Sequence, residues 1–250
     1  MTSRIPWHWG WAGIPLLVLA WSLAALRLPA YVLPQPAGVA AEGLRWLQAG
    51  KLWPQLAASL VEEAAGFALA TAASLAVGMA AGLLRPVREF VGPLNALFMA
   101  IPPVAWAPLS MIVFGLGITS IVAVIFVAAV FPMAVAIQQG VEGLAGGELR
   151  AARTLGATPL QRLRHVVLPA SLPAITAALR IGFSQAWRAL VAAEMIGATR
   201  GIGWMVATGG QVGNAEQVLL GMALIGLVAW LMESLVFRRL ERRYQRWNVR

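Results

Sequence analysis

The chain has 250 residues, of which 60% are hydrophobic and only 12% are charged, and its formal net charge is +9. So few charged residues do not cover the surface of a soluble domain, and the composition therefore predicts a chain that lies mainly in lipid. The 10 acidic residues are all glutamate, cysteine is absent, and His8 and His165 are the only histidines. This composition excludes disulfides and cysteine-ligated metals, and it predicts neither a metal site nor a catalytic site.

Six apolar runs are each long enough to cross a hydrocarbon core of about 30 Å, which predicts an all-α integral membrane protein with about six transmembrane helices. The runs are continuously apolar rather than alternating, which favours helices over a β-barrel. The first run resembles a signal peptide, but Arg27 and "LPAYVLPQP" follow it instead of a small-residue cleavage site, so we expect an uncleaved anchor. The runs lie at about 11–28, 56–84, 93–116, 118–140, 173–197 and 215–237.

The basic residues predict the orientation of the chain. If the N-terminus is cytoplasmic, 13 arginines fall in inside segments and 4 basic residues fall in outside segments, which is a clear positive-inside bias. Both termini are then cytoplasmic. We expect an anchor helix with an outside loop at 1–55, a core membrane domain at 56–237 and a basic cytoplasmic tail at 238–250. The net positive charge is therefore interpreted as membrane orientation, and no nucleic acid partner is expected.

One span carries three prolines in "IPPVAWAPL", residues 101–109. Proline removes a backbone donor, so Pro102 and Pro103, with Trp106 beside them, are expected to kink or locally unwind this helix. Two interpretations stay open. The bend serves helix packing, or it forms a deformable segment that lines a transport path, where broken helices are tolerated.

Charged side chains inside spans are costly and are site candidates for that reason. Arg188 is the strongest candidate for a transient contact with an anionic substrate, and the alternative is a buried pair with a glutamate of another span. Glu194 lies six residues further on, which is a different helix face, so it is a poor partner for Arg188 within the helix. Glu62 and Glu63 lie near the outside end of their span, and we expect them at the level of the lipid headgroups.

A polar block, "LRAARTLGATPLQRLRHVVLP" at 149–169, separates two apolar runs on the predicted cytoplasmic side. Gly156 is expected to end a short helix. Thr158 as N-cap, Pro159 at the first helical position and Gln161 in a capping box are expected to begin a second, amphipathic helix. Leu160, Leu163 and Val167 form its apolar side, and Leu168-Pro169 is expected to stop it. An interfacial helix, an orientation signal and a solvated loop are the alternatives, but a compact knob that inserts into another protein explains the helix–glycine–helix form best.

The same block closely resembles the EAA loop of ABC-importer permeases, whose pattern is Glu-Ala-Ala, three residues, Gly, nine residues, Ile, one residue, Leu-Pro. Ala151, Ala152, Gly156, Leu168 and Pro169 are in register, Val166 stands at the Ile position, and Arg150 replaces the Glu. The segments "IPPVAWAPLSMIVFGLGITS", "LRIGFSQAWRALVAAEMIGATRGIGWMV" and "RLERRYQRW" resemble the taurine, alkanesulfonate and nitrate branch, and the resemblance covers roughly 56–247.

The resemblance implies a type I ABC-importer permease fold in the bacterial cytoplasmic membrane. Its partners would be two cytoplasmic ATPase subunits, a periplasmic or lipid-anchored substrate-binding protein and a second copy of the chain. ATP would be bound by the ATPase subunits, so no cofactor is expected here, and the chain has no Gly-Lys-Ser/Thr phosphate loop.

The block at about 142–169 would then be the coupling loop, with contacts from Arg150, Ala151, Ala152, Gly156, Leu160, Leu163, Leu168 and Pro169. Arg188, Glu194, Pro102, Pro103 and Trp106 are the candidates for the translocation path.

Taurine or an alkanesulfonate is the expected substrate, with nitrate or another small solute as the alternative. Two other classes of function are less consistent with the sequence. A self-sufficient secondary transporter would need an acidic relay or an inverted repeat, and a membrane enzyme would need residue types that are nearly absent.

Overall fold

The computed structural model describes residues 8–144 and 146–240, with side chains described at 13–144 and 150–240. All regular structure in these residues is helical, as the sequence predicts. Arg4 and the basic tail from 241 onward lie outside the described residues. The helices are α1 (His8–Ala25), α2 (Pro36–Gln48), α3 (Leu52–Leu83), α4 (Arg85–Ala100), α5 (Trp106–Phe114), α6 (Ile118–Glu142), α7 (Gly146–Thr154), α8 (Pro159–Arg162), α9 (Leu168–Gly197), α10 (Ile202–Gln211) and α11 (Ala215–Met232).

Within the described residues, four helices, or five if a bent pair counts as one span, are long and apolar enough to cross a membrane, out of the about six that the sequence predicts. The four are Leu52–Leu83, Ile118–Glu142, Pro159–Gly197 and Ala215–Leu240. A fifth is the pair Arg85–Ala100 and Pro103–Phe114, if this pair, bent by 84°, counts as one span. The apolar part of α1 that is described, Gly13–Ala25, is shorter than a full span. The predicted third run at 93–116 is therefore broken, because its prolines interrupt the helical hydrogen bonds.

Three long helices form the centre of the molecule, with α6 packed between α3 and α9. The face of α3 that meets α6 consists largely of small residues, which let the two backbones approach closely in lipid. A Cβ atom added at Gly78 would lie 2.7 Å from the carbonyl oxygen of Ala134. On the other side of α6, a Cβ at Gly182 of α9 would overlap Sδ of Met133. The glycines of the spans thus set the distances between the central helices.

The short helix α10 packs against α9 and α11 at one end of this bundle. Its Met205 is fully buried and forms a hydrophobic cluster with the buried Val39 of α2 and Leu52 of α3. Gln217 of α11 donates to the carbonyl oxygen of Met205 over 2.8 Å. At the other end, Arg88 at the start of α4 pairs with Glu142 at the end of α6 over 2.9 Å. Both ends of the bundle are therefore fixed by polar contacts between helices.

Candidate coupling patch and translocation path

The predicted helix–glycine–helix form of the coupling patch, residues 149–169, is confirmed at its bend. Gly156 has a φ of +78°, a conformation that favours glycine. Its N–H donates to the carbonyl oxygen of Arg153, and the N–H of Ala157 donates to that of Ala152, each over 3.0 Å. This pair of bonds is the Schellman motif, which satisfies the last carbonyl groups of α7. The bend is therefore specified by local chemistry.

The second helix of the patch begins with the predicted capping box. The N–H of Thr158 donates to Oε1 of Gln161 over 2.8 Å, and the N–H of Gln161 donates to Oγ1 of Thr158 over 3.3 Å. Pro159 occupies the first turn, where its missing N–H costs nothing. Both predictions from the "TPLQ" segment are confirmed.

The predicted stop at Leu168-Pro169 is wrong, because the helix continues from Pro159 to Gly197. A π-helical turn at Leu163–Val167 precedes the proline, and the N–H of Leu168 donates to the carbonyl oxygen of Leu163. The wider turn changes the bonding pattern just where Pro169 has no N–H to offer. The patch is thus continuous with α9, one of the three central helices.

The apolar residues of the patch do not share one face. Leu155 and Leu160 are 87% and 71% exposed, Leu168 is 43% exposed, and Val167 is 1% exposed. Leu163 packs with Val167 against Ile137 and Val141 of α6 and anchors the patch to the bundle. Two leucines therefore point away from the bundle while others hold the patch in place.

The basic residues of the patch add positive charge beside the exposed leucines. Arg150, Arg153 and Arg164 are exposed, as is Ala151. Among the side chains that the structure describes, no carboxylate forms an ion pair with Arg150. The surface of the patch is therefore a small apolar projection surrounded by guanidinium groups.

The proline segment at 101–109 unwinds as predicted, and it lies beside a cavity. Pro103–Ala105 forms a short 3₁₀ turn after Pro102, and α5 then departs in a new direction from Trp106. Phe98 stacks on Phe131 with ring centroids 4.7 Å apart and contacts Trp106 at 5.6 Å. These rings line a cavity of about 90 Å³ with Pro103 and Gln185. The broken helix therefore forms one wall of a small, mainly apolar cavity, which we name the aromatic cavity after these three rings.

Arg188 is exposed, so the alternative of a buried pair with a glutamate is wrong for the residues described here. Its guanidinium donates to the carbonyl oxygen of Ser184 over 2.9 Å, to Oγ of Ser184 over 3.3 Å and to Oε1 of Gln185 over 3.2 Å. Gln185, which accepts from Arg188, lines the aromatic cavity together with Pro103 and Trp106, whereas Arg188 itself is not among the lining residues. Sequence reasoning missed Gln185, although its position three residues before Arg188 places it on the same helix side.

Glu194 lies in a different place, inside the bundle. It is 1% exposed, and its Oε1 accepts from Oγ of Ser59 over 2.5 Å. Its Oε2 accepts from the N–H of Gly203 over 2.6 Å, and Oγ of Ser59 accepts from the N–H of Ile202 over 2.8 Å. Glu194 and Ser59 thus satisfy the first N–H groups of α10, which a helix cannot satisfy itself. Gly201 has a φ of +118° at this turn, and a Cβ there would overlap the carboxyl group of Glu194.

The expected exposure of Glu62 and Glu63 to headgroups is wrong. They are 5% and 4% exposed, because they follow Ser59 on the face of α3 that turns into the bundle. The carboxyl groups of Glu62 and Glu194 lie close enough to interact electrostatically inside the bundle. Neither carboxylate oxygen of Glu63 has a hydrogen-bond partner in the described part of the chain.

The comparisons with known proteins agree with this architecture. The family model described as "Binding-protein-dependent transport system inner membrane component" matches residues 72–247. The taurine transport system permease protein TauC of Escherichia coli (strain K12) is 37% identical over 264 residues, which cover 99% of this chain and 95% of the relative. The putative aliphatic sulfonates transport permease protein SsuC of Bacillus subtilis (strain 168) is 30% identical, with coverage of 88% and 79%. Among solved structures, an inward-facing MetNI methionine ABC transporter has a TM-score of 0.62 at 24% identity and covers 81% of this chain and 98% of the other, which shows the same fold.

Proposed function

The chain belongs to the binding-protein-dependent transport system inner membrane components, the permease subunits of ABC importers, and from this premise we propose that it carries taurine or a closely related sulfonate. The observation that supports this substrate class most is the 37% identity, along nearly the whole chain, to a permease named for taurine transport. Permeases of this family are not enzymes themselves, because the ATPase lies in a partner subunit.

In this proposal the coupling patch docks onto the ATPase. Leu155 and Leu160 are large exposed apolar residues of the patch, whereas Val167 is buried against the bundle. The Schellman motif and the capping box hold both helices in one conformation, so little conformational entropy is lost on docking. Arg150, in place of the usual Glu, would meet an acidic or neutral surface of this particular ATPase.

The translocation path would pass beside the aromatic cavity and Arg188. A guanidinium group offers several N–H donors in one plane and binds sulfonate or carboxylate oxygens well. Ser184 and Gln185 hold Arg188 on the exposed side of α9. We propose that a second copy of the chain completes the path. The termini would be cytoplasmic, and a substrate-binding protein would dock on the opposite side.

Reconstitution tests this function directly. The permease, its ATPase and its substrate-binding protein are incorporated into proteoliposomes, and uptake of labelled taurine is measured with and without ATP. We expect uptake only with all three proteins and ATP. Uptake without the ATPase would contradict the importer mechanism and favour a secondary transporter. ATP-dependent uptake of nitrate in preference to taurine would contradict the proposed substrate.

A further inference from the structure

A second cavity, of about 520 Å³, opens between α3, the start of α6 and the turn that joins α9 to α10. We name it the α9–α10 groove. Most of its wall is apolar, with Val61 and Ile121 among the lining residues. Its charged residues are Glu62 and Arg200, one from α3 and one from the α9–α10 turn. The groove is distinct from the aromatic cavity beside Arg188.

Glu62 is an unusual residue in the wall of the groove. Only 5% of it is exposed, and its Oε2 accepts no hydrogen bond from any described residue. Buried carboxylate oxygens without a donor are rare and need an explanation. The carboxyl group of Glu194 is close to that of Glu62 inside the bundle. Glu62 thus places an unpartnered carboxyl oxygen, enclosed by protein atoms, in the wall of the groove.

Arg200 supplies the opposite charge. The guanidinium of Arg200 attracts the carboxyl group of Glu62 electrostatically. No carboxylate oxygen of the described chain, however, lies within 4.0 Å of a guanidinium nitrogen of Arg200, the limit for an ion pair. The two charges therefore share the groove without direct contact. A simple anion would be repelled by the carboxyl pair, and a simple cation would be repelled by Arg200.

We propose that the α9–α10 groove binds a small zwitterion that carries an ammonium group and a strongly acidic group, as an aminoalkanesulfonate does. The ammonium group donates to the carboxylate of Glu62, whose side chain turns toward the groove, and the sulfonate oxygens accept from the guanidinium of Arg200. The apolar wall accommodates the short carbon chain. This inference rests on the proposed function and narrows it, because nitrate and plain alkanesulfonates lack the ammonium group.

The experiment uses the permease–ATPase complex in nanodiscs without the substrate-binding protein. The specificity of the substrate-binding protein then does not affect the measured affinities. Binding of labelled taurine is measured by equilibrium dialysis, with ethanesulfonate as a competitor that lacks the amine. We expect ethanesulfonate to bind at least about tenfold more weakly than taurine, because it lacks the ammonium group and so loses one charged hydrogen bond. Equal affinities for the two compounds, or no taurine binding, would overturn the inference.

Variants identify the groove as the binding site. Glu62→Gln keeps the shape and the contact with Glu194 but loses the charge, so taurine affinity is expected to fall about tenfold while ethanesulfonate affinity does not fall. Arg200→Gln is expected to lower the affinity for both taurine and ethanesulfonate. Glu89→Gln, an exposed change in α4, is the matched control and should alter neither the taurine affinity nor the ethanesulfonate affinity. An equal loss of both compounds in Glu62→Gln would indicate a structural role and overturn the inference.

Uptake in proteoliposomes separates this inference from the proposed function. If the complete system takes up taurine but Glu62→Gln and Arg200→Gln bind taurine normally, the groove site is wrong and the function stands. If these variants instead weaken docking of the substrate-binding protein, the groove is a docking surface and the inference fails. If the complete wild-type system does not take up taurine, the proposed function itself fails.

Discussion

Ser59 and Glu194 are 135 positions apart in the chain, yet Oγ of Ser59 donates to Oε1 of Glu194 over 2.5 Å inside the bundle. Through this pair, α3 and α9 together hold the first turn of α10. The contact makes the position of α10 depend on two of the three central helices.

Replacement of Glu194 by alanine is expected to destabilise the protein by about 2–3 kcal/mol, because it leaves the N–H of Gly203 and the hydroxyl of Ser59 without their buried acceptor. Thermal unfolding of the purified protein in detergent measures this change. Glu89→Ala is the control, since Glu89 forms only an exposed pair with Arg85 and should matter by less than about 0.5 kcal/mol. Equal melting temperatures of the two variants would contradict the internal cap.

Replacement of Gly156 by alanine is expected to weaken coupling while the bundle stays folded. The positive φ costs a residue with a Cβ about 1 kcal/mol, and no neighbouring atom lies within 4 Å, so the strain is local. We expect lower ATPase binding and slower uptake at a melting temperature lowered by no more than about 4 °C. Gly92→Ala is the matched control, because Gly92 is helical and also has open space around it. Normal uptake by the Gly156 variant would show that the bend is not needed.

Replacement of Gly78 by alanine is expected to separate α3 from α6 and to destabilise the protein by about 1–3 kcal/mol, since the new methyl group would meet the backbone of Ala134. Gly226→Ala in α11 has no atom within 4 Å and should be neutral or slightly stabilising. Melting temperatures in detergent compare the two. A neutral Gly78 variant would mean that the α3–α6 contact is not tight.

Replacement of Arg188 by glutamine is expected to lower the rate of taurine uptake about tenfold, because one charged contact with the sulfonate is lost. Docking of the ATPase should not change, since Arg188 is far along α9 from the coupling patch. Arg85→Gln, an exposed arginine of α4, is the control. Unchanged uptake by Arg188→Gln would remove this residue from the proposed path.

The local structure of the coupling patch was predictable from the sequence because its determinants are close neighbours. Gly156 and the Thr158–Gln161 pair act within one turn of the chain, so residue type and spacing were sufficient. Pro169 was misjudged for a related reason. Proline was expected to end the helix, but the π-turn at Leu163–Val167 accommodates it, and that turn has no clear sequence signal.

The buried glutamates were not predictable in the same way. Position along the span placed Glu62 and Glu63 near the headgroups, whereas their burial depends on which face of α3 meets α9. Ser59, the residue that organises this region, has no distinctive motif around it. Contacts between distant parts of the chain decided the outcome, and a single sequence does not display them.

The unbroken helix from Pro159 to Gly197 has a mechanical consequence. Its 39 residues correspond to a rod of about 58 Å at 1.5 Å per residue. The coupling patch lies at one end of this rod, and Glu194, which holds α10, lies near the other. A tilt of about 10° around the middle moves each tip by roughly 5 Å in opposite directions, given that length. A small displacement of the coupling patch on one face of the membrane therefore displaces α10 on the other face, without any rearrangement of the intervening side chains.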